Sequence, residues 1–303
     1  MTDTMTMPNF LIIGAPKGGS TALYQYLREH PQIYMSPIKE PKFFALEGEK
    51  ADFQGPDDWK KDYVTELAAY QDLFKDVSNE IAVGEASPGY LHSSKASERI
   101  KHHIPNAKLI AILRDPVDRA FSHFTSLVSQ NLEPLTDFSE AMSAETERIQ
   151  NNWSPRWCYK QRGFYYSQLK RYFNLFDRNQ IKVYLYEDFK KNSLGVVQDA
   201  FSFLGVDNAF IPNVDHKHNV THTRKNKALH GLINQENPIK STLRPLLPTK
   251  LRQQVAIKFK KMNQGEKPQL SPEVRRQFVE IYREDILKLQ DLINRDLSNW
   301  LEI

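Results

Sequence analysis

The sequence comprises 303 residues with a mass of 35.3 kDa; 40% of them are hydrophobic and 26% charged, a composition that excludes wholesale disorder. The 41 Lys and Arg residues against 37 Asp and Glu residues give a net charge of +4, which suits an anionic ligand but is too small to indicate a nucleic-acid-binding tail. The single cysteine, Cys158, excludes an internal disulfide framework and a cysteine-rich zinc site.

No part of the sequence is typical of a targeting or membrane segment. The start of the chain, MTDTMTMP, has neither a basic region nor an apolar stretch of signal length. No later apolar run approaches the ~20 residues that span a bilayer. We therefore expect a cytoplasmic protein without a membrane span, folded as a single domain over 1–303 with a disordered N-terminus at 1–8.

Along the chain, short apolar runs alternate with amphipathic stretches of helical length, a pattern typical of an α/β protein with a parallel sheet and helices on both faces. The predicted strands are 10–15, 81–85, 108–113 and 181–186. The predicted helices begin at about residue 20 and then cover 93–104, 116–130, 163–176, 194–204 and 272–297. Two segments are predicted to be loops: 47–60 on the surface, and 205–226, whose length inside a compact domain favours a functional role.

The strongest local signal is the stretch FLIIGAPKGGSTALYQYL over 10–27, which has the pattern of a strand, a glycine-containing turn and a helix. Glycines let backbone N–H groups approach a phosphate closely, and the helix directs the positive end of its dipole at the anion. Ser20 and Thr21 can add hydroxyl contacts to the same phosphate or cap the helix. Because Lys17 lies within the turn, we favour a phosphate-binding loop over a turn that serves packing alone.

The position of this lysine argues against an enzyme that uses a magnesium nucleotide. A nucleotide kinase or NTPase loop has its lysine directly after the second glycine of G-x-x-x-x-G-K-[ST]. Gly14 and Gly19 have this spacing, but Ser20 occupies the lysine position and Lys17 lies before the second glycine. The sequence also offers no evident second carboxylate for a metal at a strand end.

A second block, KLIAILRDPVDRAFSHF over 108–124, combines a strand that ends in Arg114 with a helix that carries Ser122. A guanidinium at a strand end and a hydroxyl on the next helix can together hold a phosphate. Asp115 and Pro116 are explained as the cap and the first residue of that helix, and this leaves Arg114 without a structural role.

Together these blocks resemble the sulfotransferases that use 3′-phosphoadenosine 5′-phosphosulfate (PAPS), and most of all the branch with heparan sulfate sulfotransferase domains and their bacterial relatives. Weaker similarities follow in the family's order: VGEASPGYL from 83, RGFYYSQLKRYFNLF from 162 and LINRDLSNWL near the end. The resemblance thus covers 10 to about 301. It implies a P-loop-like parallel sheet of about five strands.

The resemblance also implies which residues bind the cofactor, PAPS or its product adenosine 3′,5′-bisphosphate (PAP). Arg114 and Ser122 match the positions that hold the 3′-phosphate, and Tyr165 matches a tyrosine near the cofactor. The loop that holds the 5′-phosphosulfate corresponds to Lys17, Gly18, Gly19, Ser20, Thr21 and Ala22. No metal is required by this chemistry.

Sulfuryl transfer needs a base for the acceptor and positive charge on the oxygen that leaves. Lys17 is placed for the second task, beside the 5′-phosphate. The branch resembled here has its base three residues before a Phe-Phe pair, which implies Glu40 for the first task. Lys39 and Lys42 favour the ionised form of Glu40 and weaken it as a base, unless burial against the phenylalanines offsets them.

Histidines are the rival bases, because the cytosolic branch of the family uses histidine. His92 and His123 are the two candidates, although each is also explained as a packing residue on a helix face.

The sequence departs from its relatives at two places. Glu85 is followed by Ala86, where some relatives have lysine, and the relatives' late K-G-F loop is replaced by a stretch in which Lys217 and His218 are candidates for a further cofactor contact. The nearby histidines, at 216, 218 and 222, lack a cysteine or a carboxylate at a defined spacing, so we expect them to face solvent and bind no metal.

The function predicted is sulfuryl transfer from PAPS to a hydroxyl or amine of an acceptor such as a carbohydrate, a lipid or a small metabolite. Two alternatives are a phosphotransferase of the P-loop kinase class and a non-catalytic module that binds an anionic ligand. No nucleic acid is expected as a partner.

Overall fold

The computed structural model describes residues 6–56, 63–214 and 269–303. Five strands form one parallel sheet in the order β2-β3-β1-β4-β5. The strands are β1 (Phe10–Gly14), β2 (Ile33–Met35), β3 (Ala82–Ala86), β4 (Lys108–Leu113) and β5 (Ile181–Leu185). This architecture confirms the predicted α/β fold.

The helices cover both faces of the sheet. In chain order they are α1 (Ser20–Arg28), α2 (Phe43–Leu46), α3 (Leu67–Asp72), α4 (Ala96–His103), α5 (Pro116–Ser129), α6 (Phe138–Ser143), α7 (Glu145–Gln150), α8 (Tyr165–Leu175), α9 (Tyr186–Lys191), α10 (Ser193–Leu204) and α11 (Pro272–Ile293). The predicted helices correspond to α1, α4, α5, α8, α10 and α11. The longest of them, α11, stops at Ile293 rather than 297, because Asn294 takes the left-handed backbone conformation that ends helices.

Side chains along the buried strands point alternately to the two faces of the sheet, and each face has its own hydrophobic core. Leu11 and Ile13 of β1 face the core beneath α4, α5, α8 and α11, whereas Phe10 and Ile12 face the core beneath α1, α9 and α10. Strands buried on both faces appear as continuous apolar runs, which is why β1 and β4 are easy to predict. The edge strand β2 has only three residues, too few to give a period, and the sequence did not predict it.

The structure can be compared with the predictions for the start of the chain and for the two long loops only where it describes them. Residues 6–8 belong to the predicted disordered start, yet Pro8 is buried. The described part of the 47–60 loop contains Phe53, which packs against the core. Lys217, His218 and the neighbouring histidines lie outside the described residues. In the part of the chain that the structure describes, no helix is long and apolar enough to cross a membrane.

Gly84 lies in β3 directly opposite Phe10 of β1. A Cβ at this position would lie 2.4 Å from the Phe10 ring, and that ring is fully buried and has no room to move. We therefore expect Gly84→Ala to lower the free energy of unfolding by about 1–3 kcal/mol through overpacking. Urea unfolding measures the difference. Gly89→Ala is the control, because a Cβ there would meet nothing within 4 Å. Equal stability of the two variants would contradict the prediction.

Candidate active site

A cavity of about 1010 Å³ opens at the carboxyl ends of β1, β3 and β4. In a sheet whose strand order reverses beside β1, this is the place where ligands of doubly wound proteins bind. The cavity brings together predicted site residues from separate parts of the chain: Lys17, Gly19, Ser20, Thr21, Ala22, Glu40, Arg114, Ser122 and the rival bases His92 and His123.

The loop between β1 and α1 is fixed to the end of β4. The Ala15 N–H donates to the Ile112 carbonyl at 2.9 Å, and a Cβ on Gly18 would lie 2.2 Å from the same oxygen. Only glycine permits this close approach. Gly18 therefore packs on β4 and does not line the cavity, in contrast to the other five residues predicted for this loop.

The N-terminus of α1 faces the cavity with free hydrogen-bonding capacity. Gly19 precedes the helix with φ of 110°, and no described side chain caps it. The Ala22 N–H donates to the Gly19 carbonyl at 3.0 Å, whereas the N–H groups of Ser20 and Thr21 have no backbone partner among the described residues. A phosphate or sulfate can therefore occupy the position that a capping side chain would take. Ser20 and Thr21 lie in that turn.

Arg114, at the end of β4, presents its guanidinium to the same cavity. The guanidinium carbon lies 4.8 Å from the centre of the Tyr186 ring, which holds it by stacking. Its Nε is buried and has no hydrogen-bond partner in the described chain. The nearest carboxylate, on Asp118, is 3.8 Å away, beyond hydrogen-bond distance. Arg114 is thus oriented but keeps donors for a ligand.

Tyr165 supports Arg114 from behind the cavity wall. Its hydroxyl donates to the Arg114 carbonyl at 3.0 Å, and the side chain is fully buried. It does not line the cavity. The contact of Tyr165 with a cofactor stays a prediction. Ser122, on α5, lines the cavity, and its contact with the 3′-phosphate stays a prediction.

Glu40 lies on the segment between β2 and α2, where its N–H donates to the Ala86 carbonyl at 3.0 Å. Its carboxylate accepts a hydrogen bond from Lys39 Nζ at 2.7 Å. Burial raises the pKa of Glu40, but Lys39 and Lys42 outweigh it and hold the pKa below its usual range. Burial therefore does not offset the two lysines. Phe43 and Phe44 are buried in the core, where Phe43 stacks on Tyr70 and Phe44 contacts the Tyr90 ring edge-on.

Three residues that line the cavity have left-handed backbone conformations: Lys17 with φ of 68°, Glu40 with 65° and Lys42 with 62°. Left-handed backbone is disfavoured for residues with long side chains and concentrates at functional sites. Elsewhere in the described chain, every non-glycine residue of this kind is an asparagine: Asn131, Asn152 and Asn294. Asparagine tolerates this conformation better than lysine or glutamate. The exceptions therefore fall where side chains point at the cavity.

The cavity is strongly cationic, and burial weakens the charges of its lysines. Burial, with Arg114 next in effect, lowers the pKa of Lys17 to about 8. Burial likewise lowers the pKa of Lys42 to about 8, although Glu40 opposes the shift. Burial also lowers the pKa of Arg162, whose Nε has no partner among the described residues. An anion in the cavity relieves these desolvated charges.

Both histidines line the cavity as neutral imidazoles at neutral pH. Burial, together with Arg162 and Arg171, lowers the pKa of His92 to about 3. Burial, together with Arg162 and Arg119, holds the pKa of His123 well below its usual range. The buried Nδ1 of His123 has no hydrogen-bond partner among the described residues. The lowered pKa values leave both imidazoles uncharged at neutral pH, so they add no positive charge to the cavity.

Glu85 is fully buried beneath the cavity floor and does not line the cavity. It accepts a hydrogen bond of 3.4 Å from the Tyr70 hydroxyl. Burial raises its pKa to about 7. The position after it, Ala86, supplies the carbonyl that holds Glu40, so the segment supports Glu40 through the backbone.

The sequence did not single out several residues that line the cavity. They are Arg156, Arg162, Arg171 and Tyr186. Lys42 also lines the cavity, although the sequence indicated only its effect on Glu40. Arg162 begins the block that resembles the family's tyrosine segment, so its position in that block could have indicated a residue near the cofactor. Within the described ranges, no cluster of three His, Cys, Asp or Glu residues could hold a metal ion.

A parallel sheet that brings a lysine-bearing loop, a strand-end arginine and a carboxylate to one cationic cavity defines a protein that binds a phosphorylated or sulfated ligand. The comparison with known families makes this specific. The sequence model of the Sulfotransferase family matches residues 8–210, and the chain belongs to this family. The predicted family is confirmed, and membership favours sulfotransferase over the kinase and non-catalytic alternatives.

Relatives of known name include carbohydrate-modifying proteins. The mouse bifunctional heparan sulfate N-deacetylase/N-sulfotransferase 4 is 30% identical over 212 residues, covering 66% of this chain and 22% of that protein. Human carbohydrate sulfotransferase 15 is 28% identical over 249 residues, covering 66% of this chain and 44% of that protein. This chain therefore matches less than half the length of either relative.

A solved structure resembles the whole chain. The sulfotransferase from Alicyclobacillus acidocaldarius is 32% identical, with a TM-score of 0.77, and the match covers 98% of this chain and 100% of that one. Mouse sulfotransferase SULT7A1, solved with PAP, is 13% identical, with a TM-score of 0.51. The match covers 95% of this chain and 86% of that one, and it shows a shared fold.

The lowered pKa of Lys17 makes anion binding sensitive to pH. A lysine with a pKa of about 8 loses its charge as the pH rises through that value, whereas an ordinary lysine stays charged to about pH 10. Titration calorimetry from about pH 7 to about pH 9.5 should show PAP affinity falling by up to about tenfold per pH unit at the alkaline end.

Two variants identify the group responsible. Lys17→Gln should bind PAP more weakly and with little dependence on pH. Lys42→Gln should keep the dependence, because Lys42 lies outside the phosphate loop although its pKa is also lowered to about 8. A pH dependence that persists unchanged in Lys17→Gln would show that another group controls affinity.

Proposed function

We propose that this chain transfers the sulfuryl group of PAPS to a hydroxyl or amine of an acceptor, with a carbohydrate as the favoured acceptor class. The observation that carries the proposal is the shared cavity. It holds Lys17 and Arg114 at the ends of neighbouring strands and Glu40 from a separate segment. These are the charges and the base that sulfuryl transfer requires.

The cavity residues fit the donor at both of its phosphates. Lys17, Ser20 and Thr21 surround the uncapped start of α1 and would hold the 5′-phosphosulfate. Arg114 and Ser122 would hold the 3′-phosphate, and the buried Nε of Arg114, which has no partner among the described residues, supports this assignment.

When bound, the donor supplies the sulfuryl group and keeps the electron pair of the broken sulfur–oxygen bond on its 5′-phosphate. Glu40, ionised at neutral pH because its pKa is lowered, accepts the proton of the acceptor hydroxyl as the new bond to sulfur forms. The Lys17 ammonium stabilises the negative charge that develops on the leaving phosphate oxygen. Lys39 holds the Glu40 carboxylate through the 2.7 Å hydrogen bond.

The carbohydrate acceptor rests on two observations. The cavity, at about 1010 Å³, is at the upper end of the range for small-molecule sites and has room for an acceptor beside a nucleotide. The relatives include a heparan sulfate N-sulfotransferase and a carbohydrate sulfotransferase. The direct test is a screen of carbohydrate, lipid and small-metabolite acceptors with a donor labelled in its sulfate. Label transferred to a carbohydrate supports the proposal, and transfer only to another class would change the acceptor.

Arg114→Ala should weaken PAP binding far more than binding of adenosine 5′-phosphosulfate, which lacks the 3′-phosphate. Loss of a charge-assisted contact is expected to cost about 1.5–3 kcal/mol, roughly tenfold to more than a hundredfold in Kd. The PAP affinity of Arg114→Lys should lie between those of wild type and Arg114→Ala, because lysine keeps the charge but not the planar set of donors. Arg178→Ala, at an exposed position outside the cavity, is the control. Equal losses for the two ligands would mean that Arg114 has a structural role.

Glu40→Gln should lower turnover by about 10²–10⁴-fold and leave PAP affinity within about threefold, because the amide keeps the shape but cannot accept a proton. Since the pKa of Glu40 is below its usual range, wild-type turnover should decline only below about pH 4.5, and this acid limb should vanish in the variant.

Glu47→Gln is the matched control for this measurement. Its carboxylate lies at the far end of α2, 2.6 Å from His103 Nε2, and does not line the cavity. Near-normal turnover of Glu40→Gln would transfer the role of base to His92 or His123, which the corresponding alanine variants would then separate.

A further inference from the structure

Arg275, near the start of α11, forms two ion pairs with the segment that follows β4. Its Nη2 lies 2.6 Å from Asp115 Oδ2, and its Nη1 lies 2.9 Å from Asp118 Oδ1. Asp115 and Asp118 lie more than 150 positions before Arg275 in the sequence, so both ion pairs are tertiary contacts. Its Nε donates to the Glu302 carbonyl at 3.3 Å, which fixes the plane of the guanidinium.

Both aspartates also lie close to Arg114 in the sequence. Asp115 follows it in sequence, and its Oδ1 caps α5 by accepting from the N–H groups of Val117 at 2.8 Å and Asp118 at 3.0 Å. Asp118 lies one helical turn beyond Arg114, and its Oδ2 is 3.8 Å from Arg114 Nη2. The cap is needed for the helix, so the fold cannot simply omit negative charge here.

Arg275 determines where the Asp118 carboxylate points. The Asp118 side chain is 47% exposed and has few other constraints. A residue at this spacing on a helix can pair closely with Arg114. At 3.8 Å Asp118 already forms an ion pair with Arg114, and a closer approach would in addition occupy donors that an incoming phosphate needs. The bond from Arg275 Nη1 to Oδ1 instead holds the carboxylate at a distance where Arg114 makes no hydrogen bond with it.

We propose that Arg275 is a positioning residue that holds Asp118 away from Arg114 and thereby keeps Arg114 available for the 3′-phosphate of the nucleotide. The inference rests on the proposed function, in which Arg114 binds that phosphate. It assigns to α11 a part in nucleotide selectivity: the helix supplies the counter-ion for the aspartates, and the strand-end arginine remains free for a ligand with a 3′-phosphate.

The test measures the Kd of PAP and of adenosine 5′-phosphosulfate by titration calorimetry for the full chain and a set of variants. Arg275→Ala should weaken PAP binding about tenfold and leave the second ligand within about twofold, because only PAP depends on Arg114. Asp118→Asn in the Arg275→Ala background should restore PAP affinity to within about twofold of wild type, since an uncharged amide is not drawn into a close ion pair with Arg114. Arg276→Ala, one position along α11 and exposed, is the control and should bind both ligands normally.

The rescue separates positioning from structural damage. If Arg275 only anchors α11, its loss weakens both ligands, lowers the melting temperature and is not repaired by Asp118→Asn. That result, or unchanged PAP affinity in Arg275→Ala, would overturn the inference while wild-type binding of PAP stands. Failure of the wild-type protein to bind PAP would instead overturn the proposed function.

Discussion

The site depends on the attachment of the β1–α1 loop to the end of β4. One hydrogen bond, from the Ala15 N–H to the Ile112 carbonyl, and the close approach that Gly18 permits determine where the loop lies. Because β2 and β3 lie on one side of β1 and β4 and β5 on the other, a crevice forms where the chain changes direction. The same attachment brings Lys17 close enough to Arg114 for the arginine to be the strongest charge influence on its pKa.

A cluster of cations without a bound anion is an unfavourable arrangement in a protein interior. Lys17, Lys42 and Arg162 all have lowered pKa values, with burial as the largest cause. The surrounding scaffold has two buried hydrophobic cores, one on each face of the sheet. Such a site is preorganised: its charges are in place before the ligand arrives, and ligand binding removes a destabilising repulsion in the folded protein.

The sequence predicted the cavity residues that lie beside the ends of buried strands. Lys17 and Arg114 follow β1 and β4, and parallel strands place their carboxyl ends at one edge, so the proximity of these two residues follows from the pattern. Arg156, Arg162 and Arg171 come from turns and a helix face whose approach to the cavity depends on packing across the whole domain. The burial of Phe43 and Phe44 was predictable, but not the balance at Glu40, where the charges of Lys39 and Lys42 outweigh the effect of burial on the pKa.

The left-handed backbone at Lys17, Glu40 and Lys42 has a consequence for protein engineering. Conformations of this kind cost of order 1–3 kcal/mol each, and glycine or asparagine would relieve them. A programme that selects only for thermal stability would therefore be drawn to these three positions, where each stabilising replacement removes a charged side chain from the cavity. Among the described residues, the other non-glycine positions with left-handed backbone already hold asparagine, so little comparable stability is gained by substituting them. Stability and chemistry thus compete at three identifiable positions, and a thermostable active variant has to be sought in the cores and at the helix caps.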